Sequence, residues 1–99
     1  MTVTTNWNKN VLTFTFDTHM DSKNSLEAET IINNALKDKQ PAKIIFDLQQ
    51  VTYVASAFLR ICITVTKQCG KQNFAIINTQ PQIKKIFKIS GLEGFFDIS

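Results

Sequence analysis

Few side chains in this 99-residue sequence have both the type and the setting for chemistry. Ser56 is the first, in Thr-Tyr-Val-Ala-Ser-Ala-Phe-Leu-Arg (52–60), where an apolar stretch runs into a helical pattern. A serine at such a joint can cap the helix, its oxygen accepting backbone N–H groups two or three residues on. It can also carry a phosphoryl group, and Arg60, the single arginine, follows four residues later. His19 is the only histidine, and no serine or cysteine beside it completes a nucleophilic motif, so it reads as a surface loop residue. Cys62 and Cys69 are seven residues apart. On one helix that is about 10 Å of rise, beyond disulfide reach. They are expected as buried or half-buried free thiols, and a lone histidine adds too few ligands for a metal site. Glu27 and Glu29 do not face one another on a helix, and glycines occur only at 70, 91 and 94, so no phosphate loop is present. No catalytic constellation and no cofactor site is expected.

The chain that must position these residues reads as one domain, 1–99. Hydrophobic residues make up 43% and charged residues 19%, a globular composition. A domain of this size buries roughly two thirds of its unfolded surface, enough for one core. The net charge of +3 is mild. Ten lysines against one arginine do not suit base reading, so no nucleic-acid partner is expected. No apolar run approaches the ~20 residues that span a bilayer. The opening Met-Thr-Val-Thr-Thr-Asn lacks a signal peptide's basic start and apolar run, which predicts a cytoplasmic protein without stable membrane insertion. Lys84, Lys85 and Lys88 read as a solvated helix face.

Alternation over 2–7 and 11–17 predicts a hairpin joined at Asn8-Lys9-Asn10, with Leu12, Phe14 and Phe16 on one side. Asn24 with Glu27 fits a capping box, followed by a helical stripe of Ala28, Ile31, Ile32, Ala35 and Leu36 that ends before Pro41. The apolar runs 43–48 and 73–78 predict parallel strands covered on both faces. Parallel neighbours need a crossover, so 56–69 is expected to be helical, with Gly70 as its C-terminal cap. That helix shows two apolar arcs, Leu59, Cys62, Ile63 and Thr66 and then Phe58, Ile61 and Val65; one can meet the sheet and the other a helix or a partner. A last helix runs from Gln80 to Ser90, with Pro81 at its start and Gly91 after its end. The tail is expected to dock Leu92, Phe95 and Phe96 and to finish in a short strand. The fold class is α/β, a central mixed sheet with helices mainly on one face, in the order ββαβαβα.

Three stretches together, Lys-Ile-Ile-Phe-Asp-Leu-Gln-Gln-Val-Thr-Tyr-Val-Ala-Ser-Ala-Phe-Leu-Arg (43–60), Asn-Phe-Ala-Ile-Ile-Asn (73–78) and Ile-Lys-Lys-Ile-Phe-Lys-Ile-Ser-Gly-Leu-Glu-Gly-Phe-Phe (83–96), resemble the STAS domain of single-domain anti-sigma-factor antagonists. The resemblance covers nearly the whole chain. In the best-known members the helix start reads Asp-Ser-Ser-Gly-Leu, and a partner kinase that is itself the anti-sigma factor phosphorylates the first serine. Aligned on Leu59, that serine is Ser56; Ala55, Ala57 and Phe58 take the aspartate, second serine and glycine positions. A subset reads Ser-Ser-Ala-Gly-Leu-Arg, which Ala57, Leu59 and Arg60 follow. The family's Gly-x-Leu-Asp step near the partner surface falls on Thr18-His19-Met20-Asp21, with Ser22 next. The resemblance thus implies a partner-binding set of Asp21, Ser22, Ala55, Ser56, Ala57, Phe58 and Arg60, an anti-sigma factor or kinase-like protein as partner, and Ser56 as the phosphorylated residue. The alternative it implies is a scaffold subunit that is not phosphorylated, within a regulatory or lipid-transport complex; Ala55 and Phe58 suit that reading.

Overall fold

The computed structural model describes residues 3–37, 40–92 and 94–99; residue 2 of the expected first strand lies outside them. The elements are β1 (Val3–Asn8), β2 (Val11–Phe16), α1 (Ser22–Lys37), β3 (Lys43–Asp47), α2 (Ser56–Cys69), a short 3-10 turn (Lys71–Asn73), β4 (Phe74–Ile77), α3 (Pro81–Ile89) and β5 (Asp97–Ile98). The sheet order is β1-β2-β3-β4-β5. β1 is antiparallel to β2, with Asn8 opposite Val11 across the Lys9-Asn10 turn. The other strand pairs are parallel. Each helix carries the chain one strand further in the same direction. Right-handed crossovers repeated in one direction stack all their helices on one face.

Burial follows that topology. Leu12, Phe14 and Phe16, then Ile44 and Phe46, then Phe74 and Ile76 are buried on the helix side. Thr13, Thr15, Ile45 and Asp47 alternate with them and stay half-exposed. The helices cover one face only, because no crossover reverses direction; the second face of the run in β3 is half-exposed at Ile45 and Asp47, whereas in β4 Ala75 is buried as well and Ile77 half-buried. Phe46 sits in the central strand with its ring centroid 5.8 Å from that of Phe14, 5.0 Å from Phe16, 4.9 Å from Phe74 and 5.9 Å from Phe58. Phe74 in turn meets Phe96, which meets Phe87. Leu92 and Phe96 dock as expected, while Phe95 remains 37% exposed.

In α2 the two apolar arcs merge into one stripe of Phe58, Ile61, Cys62, Val65 and Thr66, all buried, with Leu59 and Ile63 half-buried at its margins. The spacing i, i+3, i+4, i+7, i+8 is that of a single core-facing helix surface. Phe58 is fully buried against Phe16 and Phe46. This removes it from the expected partner-binding set, since a ring enclosed by two others presents nothing to a partner.

Two helix starts differ from expectation. α1 is capped by Asp21, whose Oδ1 accepts the Asn24 N–H at 2.8 Å; Asn24 lies inside the first turn and donates its amide to the His19 carbonyl at 2.9 Å. α2 has Ala55 as its N-cap, in extended conformation and with no side-chain acceptor, so Ser56 is the first helical residue and not the cap. The helix ends follow expectation. Gly70 closes α2 at φ 93°, its N–H donating to the Thr66 carbonyl. After α3, Gly91 takes φ 78° and the Leu92 N–H reaches back to the Phe87 carbonyl, a Schellman closure.

Two stability measurements check this account. Phe58→Ala should lose about 3–5 kcal/mol in chemical unfolding, as an aromatic core truncation does; a loss typical of a surface site would contradict its place in the core. Ala55→Asp should gain about 1 kcal/mol by supplying the missing cap acceptor, and no gain would show that another group already serves those N–H donors.

Candidate functional site

The expected site residues come from two separate segments, the β2–α1 loop and the β3–α2 loop, at the carboxyl ends of the parallel strands. Backbone pairing brings the two loops together. Met20 and Val54 form a parallel bridge; the Met20 N–H donates to the Tyr53 carbonyl and the Ala55 N–H to the Met20 carbonyl, each at 2.8 Å. Met20 and Val54 are buried beneath the bridge. Ser25, wholly buried in α1, adds a hydroxyl donated to the Met20 carbonyl at 3.3 Å. Asp21 and Ala55 thus follow the bridge on adjacent strands of chain, and each begins a helix.

Of the expected residues, Ser22, Ser56 and Arg60 are exposed and Asp21, Ala55 and Ala57 half-buried. A shallow depression of about 140 Å³ between α1 and α2 is lined by Ser22, Ser25, Leu26, Glu29, Ala57, Arg60 and Ile61. It gathers three expected residues and adds Leu26 and Glu29, which sequence reasoning missed. Leu26 is 67% exposed and Tyr53, just before the bridge, 51%. Leu26 had a legible signal: an apolar residue set off the stripe of its own helix.

The electrostatics are simple. Asp21 is engaged twice, as the α1 cap and by His19 Nε2 at 3.3 Å in an exposed pair. Its carboxylate is largely used for local structure. The first turn of α2 carries no acidic residue. The N–H groups of Phe58 and Leu59 both converge on the Ala55 carbonyl, at 3.0 and 3.3 Å. Ser56 therefore stands on a helix N-terminus whose partial positive charge no side chain offsets.

Asp47 organises the neighbouring loop end. Its Oδ1 accepts the Gln49 N–H at 3.1 Å and the Asn78 side-chain amide at 3.2 Å, with Asn78 at φ 56°. Gln80 then donates to the Gln49 carbonyl at 2.9 Å. The cysteines stand apart from this surface. Burial pushes the Cys62 thiol far above its ordinary value and raises Cys69 as well, against a smaller opposing effect of a backbone hydrogen bond in each case. Neither thiol is poised as a thiolate. Among the described residues no group of three or more His, Cys, Asp and Glu could hold a metal ion, and no helix is long and apolar enough to cross a membrane.

Comparison with known proteins agrees with the fold. A STAS-domain containing protein of Pseudomonas aeruginosa is 28% identical over 88 residues, covering 87% of this chain and 79% of that protein. BtrV of Bordetella bronchiseptica, which bears an anti-sigma factor antagonist name, is 30% identical over 76 residues, 75% of this chain; the match spans 63% of BtrV. Among solved structures, an anti-sigma factor antagonist from Mycobacterium paratuberculosis superimposes with a TM-score of 0.86 at 20% identity, over 98% of this chain and 83% of that one. SpoIIAA in its unphosphorylated form gives 0.82 at 13% identity, over 98% and 87%. These likenesses speak for the fold, five strands in a mixed sheet with three helices. The STAS domain profile matches residues 2–99, and the chain belongs to the STAS domain family.

Proposed function

We infer that the protein is a non-catalytic regulatory switch that binds an anti-sigma factor or a related kinase-like protein through the paired loops at the carboxyl end of its sheet. The observation that carries this reading is the Met20–Val54 bridge, which fixes the Asp21 loop beside the start of α2. In this reading Asp21, Ser22, Ala55, Ser56, Ala57 and Arg60, the expected set without Phe58, form the binding surface. Leu26 and Tyr53 give that surface apolar area. Names of relatives such as BtrV point to the same partner class.

In this reading Ser56 is the regulated residue. Its side chain is exposed and contributes no cap hydrogen bond, so modification costs no native contact. A phosphate adds close to two negative charges. It arrives at a helix N-terminus that favours anions, one turn before the exposed Arg60. The fold is left intact, while a partner that covers the site has a buried charge to desolvate.

A second reading is favoured by one observation. Ala55 leaves α2 without the acidic cap of the best-known motif, which suits a scaffold that binds constitutively and is never phosphorylated. Mass spectrometry of the native protein separates the two: abundant phospho-Ser56 supports the switch, and its consistent absence supports the scaffold.

With a purified anti-sigma partner, Ser56→Ala should bind as tightly as wild type. Ser56→Asp should weaken binding at least about tenfold, the effect of burying an unpaired charge. Equal affinity of all three proteins would refute the switch, and loss of binding in none of Ser22→Arg, Ala57→Arg and Ser56→Asp would refute the surface itself.

A further inference from the structure

The charges of this domain divide along the strand direction. At the carboxyl ends of the strands Asp17, Asp21 and Asp47 are offset by Lys23 and Arg60, with Lys84 in the first turn of α3. The opposite end gathers the hairpin turn, the helix C-termini and the starts of the parallel strands. There the exposed charges are Lys9, Lys37, Lys43, Lys67, Lys71 and Lys88. All six follow from the fold's direction, since each lies at a hairpin turn, a helix C-terminus or a strand start on that side. The Ala42 and Lys43 N–H groups both donate to the Asn10 carbonyl beside Lys9. Lys37 and Gln68 line a single depression between α1 and α2, and Lys71 shares another with Phe96 and Asp97. Among the described residues Asp97 is the one carboxylate at this end. Lysines in the last turns of helices answer the helix dipole, and that accounts for Lys37, Lys67 and Lys88. It does not account for Lys9, Lys43 and Lys71, which sit outside the α-helices.

The same end exposes apolar side chains. Ile89, the last residue of α3, is 75% exposed, and Phe95 in the following loop is 37% exposed. The strands separating the two ends span roughly 15–20 Å, well over the screening length of about 8 Å at physiological salt. The basic end therefore acts on an approaching surface largely free of the mixed charges at the other end.

We propose that the end bearing Lys9, Lys37, Lys43, Lys67, Lys71 and Lys88 docks reversibly on an anionic lipid surface, with Ile89 and Phe95 entering the headgroup region. The charge complementarity selects an anionic surface, and the two apolar side chains select a bilayer over a polyanion, which offers them nothing to enter. Peripheral binding of this kind needs both a basic patch and an apolar contribution. Docking in this orientation leaves the Ser56 end facing water.

The experiment is co-sedimentation of the purified protein with phosphatidylcholine vesicles and with phosphatidylcholine–phosphatidylglycerol vesicles. Binding is expected to the anionic vesicles only, and to fall as salt rises. Each lysine should contribute about fivefold to the partition coefficient, so Lys9→Gln, Lys43→Gln and Lys71→Gln together should reduce it about a hundredfold. Ile89→Asn should reduce it several-fold, while Lys23→Gln, at the opposite end, should leave it unchanged. Circular dichroism of each variant confirms that the fold is retained. Equal binding to neutral vesicles, no binding to either, or insensitivity to the lysine triple variant would each overturn the proposal. So would binding to heparin that matches the anionic vesicles and ignores Ile89→Asn, which would assign the patch to a polyanion.

Discussion

The ring of Phe46 is the point on which the rest of this domain is built. It lies in the central strand and touches four other phenylalanines, three from strands and one, Phe58, from a helix. The strand rings would stack in any sheet with this register. Phe58 is different, because it decides how α2 is rotated about its own axis. A helix turns 100° per residue, so a side chain two positions before a core-facing one points roughly away from the core. Burying Phe58 against Phe16 and Phe46 therefore obliges Ser56 to face solvent. The exposure of the residue of greatest functional interest follows from a packing contact, not from any property of the serine.

The second constraint is the bridge between Met20 and Val54. Loops at the end of a parallel sheet are usually free to diverge, since no ladder holds them. Here one pair of backbone bonds carries the strand pairing past the ends of β2 and β3, and the buried Ser25 hydroxyl secures the same carbonyl from the α1 side. Two helix N-termini are thereby set side by side with different fittings. α1 has a carboxylate cap in Asp21; α2 has none. The local electrostatics are asymmetric as a result, with the anionic group spent on one helix and the other left open to an incoming one.

Much of the architecture was legible because period and punctuation agreed. The alternation in Leu12, Phe14 and Phe16, the Pro81 start and the Gly70 and Gly91 ends all lie where residue type alone places them. What was not legible depends on contacts distant in sequence. Serine is a better cap than alanine by type, yet Ala55 is held extended with its N–H on the Met20 carbonyl while its own carbonyl accepts the first helical bonds, so Ala55 is the cap. Asn24 and Asp21 are both good cap types three residues apart, and the bridge at Met20 decides for Asp21. The run around Ile45 suits a sheet covered on one side or on both; the direction of the crossovers, which no local pattern encodes, puts all the helices on one side and leaves Ile45 half-exposed on the other. The set implied by the resemblance draws on two loops that the fold brings together but includes Phe58, whose ring is buried, because alignment transfers position without transferring orientation.

Ala55 gives the start of α2 no side-chain acceptor. A carboxylate there would steady α2 by about 1 kcal/mol, so its absence is a local cost in stability. It would also sit one residue from Ser56 and partly neutralise the helix N-terminus. An anion placed on Ser56 would then gain less from the dipole, an effect worth about 0.3–1 kcal/mol, and would meet like charge besides. Alanine leaves that attraction intact while providing no negative charge of its own. Under the switch reading, the contrast between the neutral and the phosphorylated surface is therefore larger with Ala55 than with an acidic cap. Under the scaffold reading the same alanine serves to keep the surface permanently uncharged at that point. Both readings lead to one consequence: the charge state of this helix start rests on Ser56 and Arg60, with no fixed anion in its first turn to mask a change.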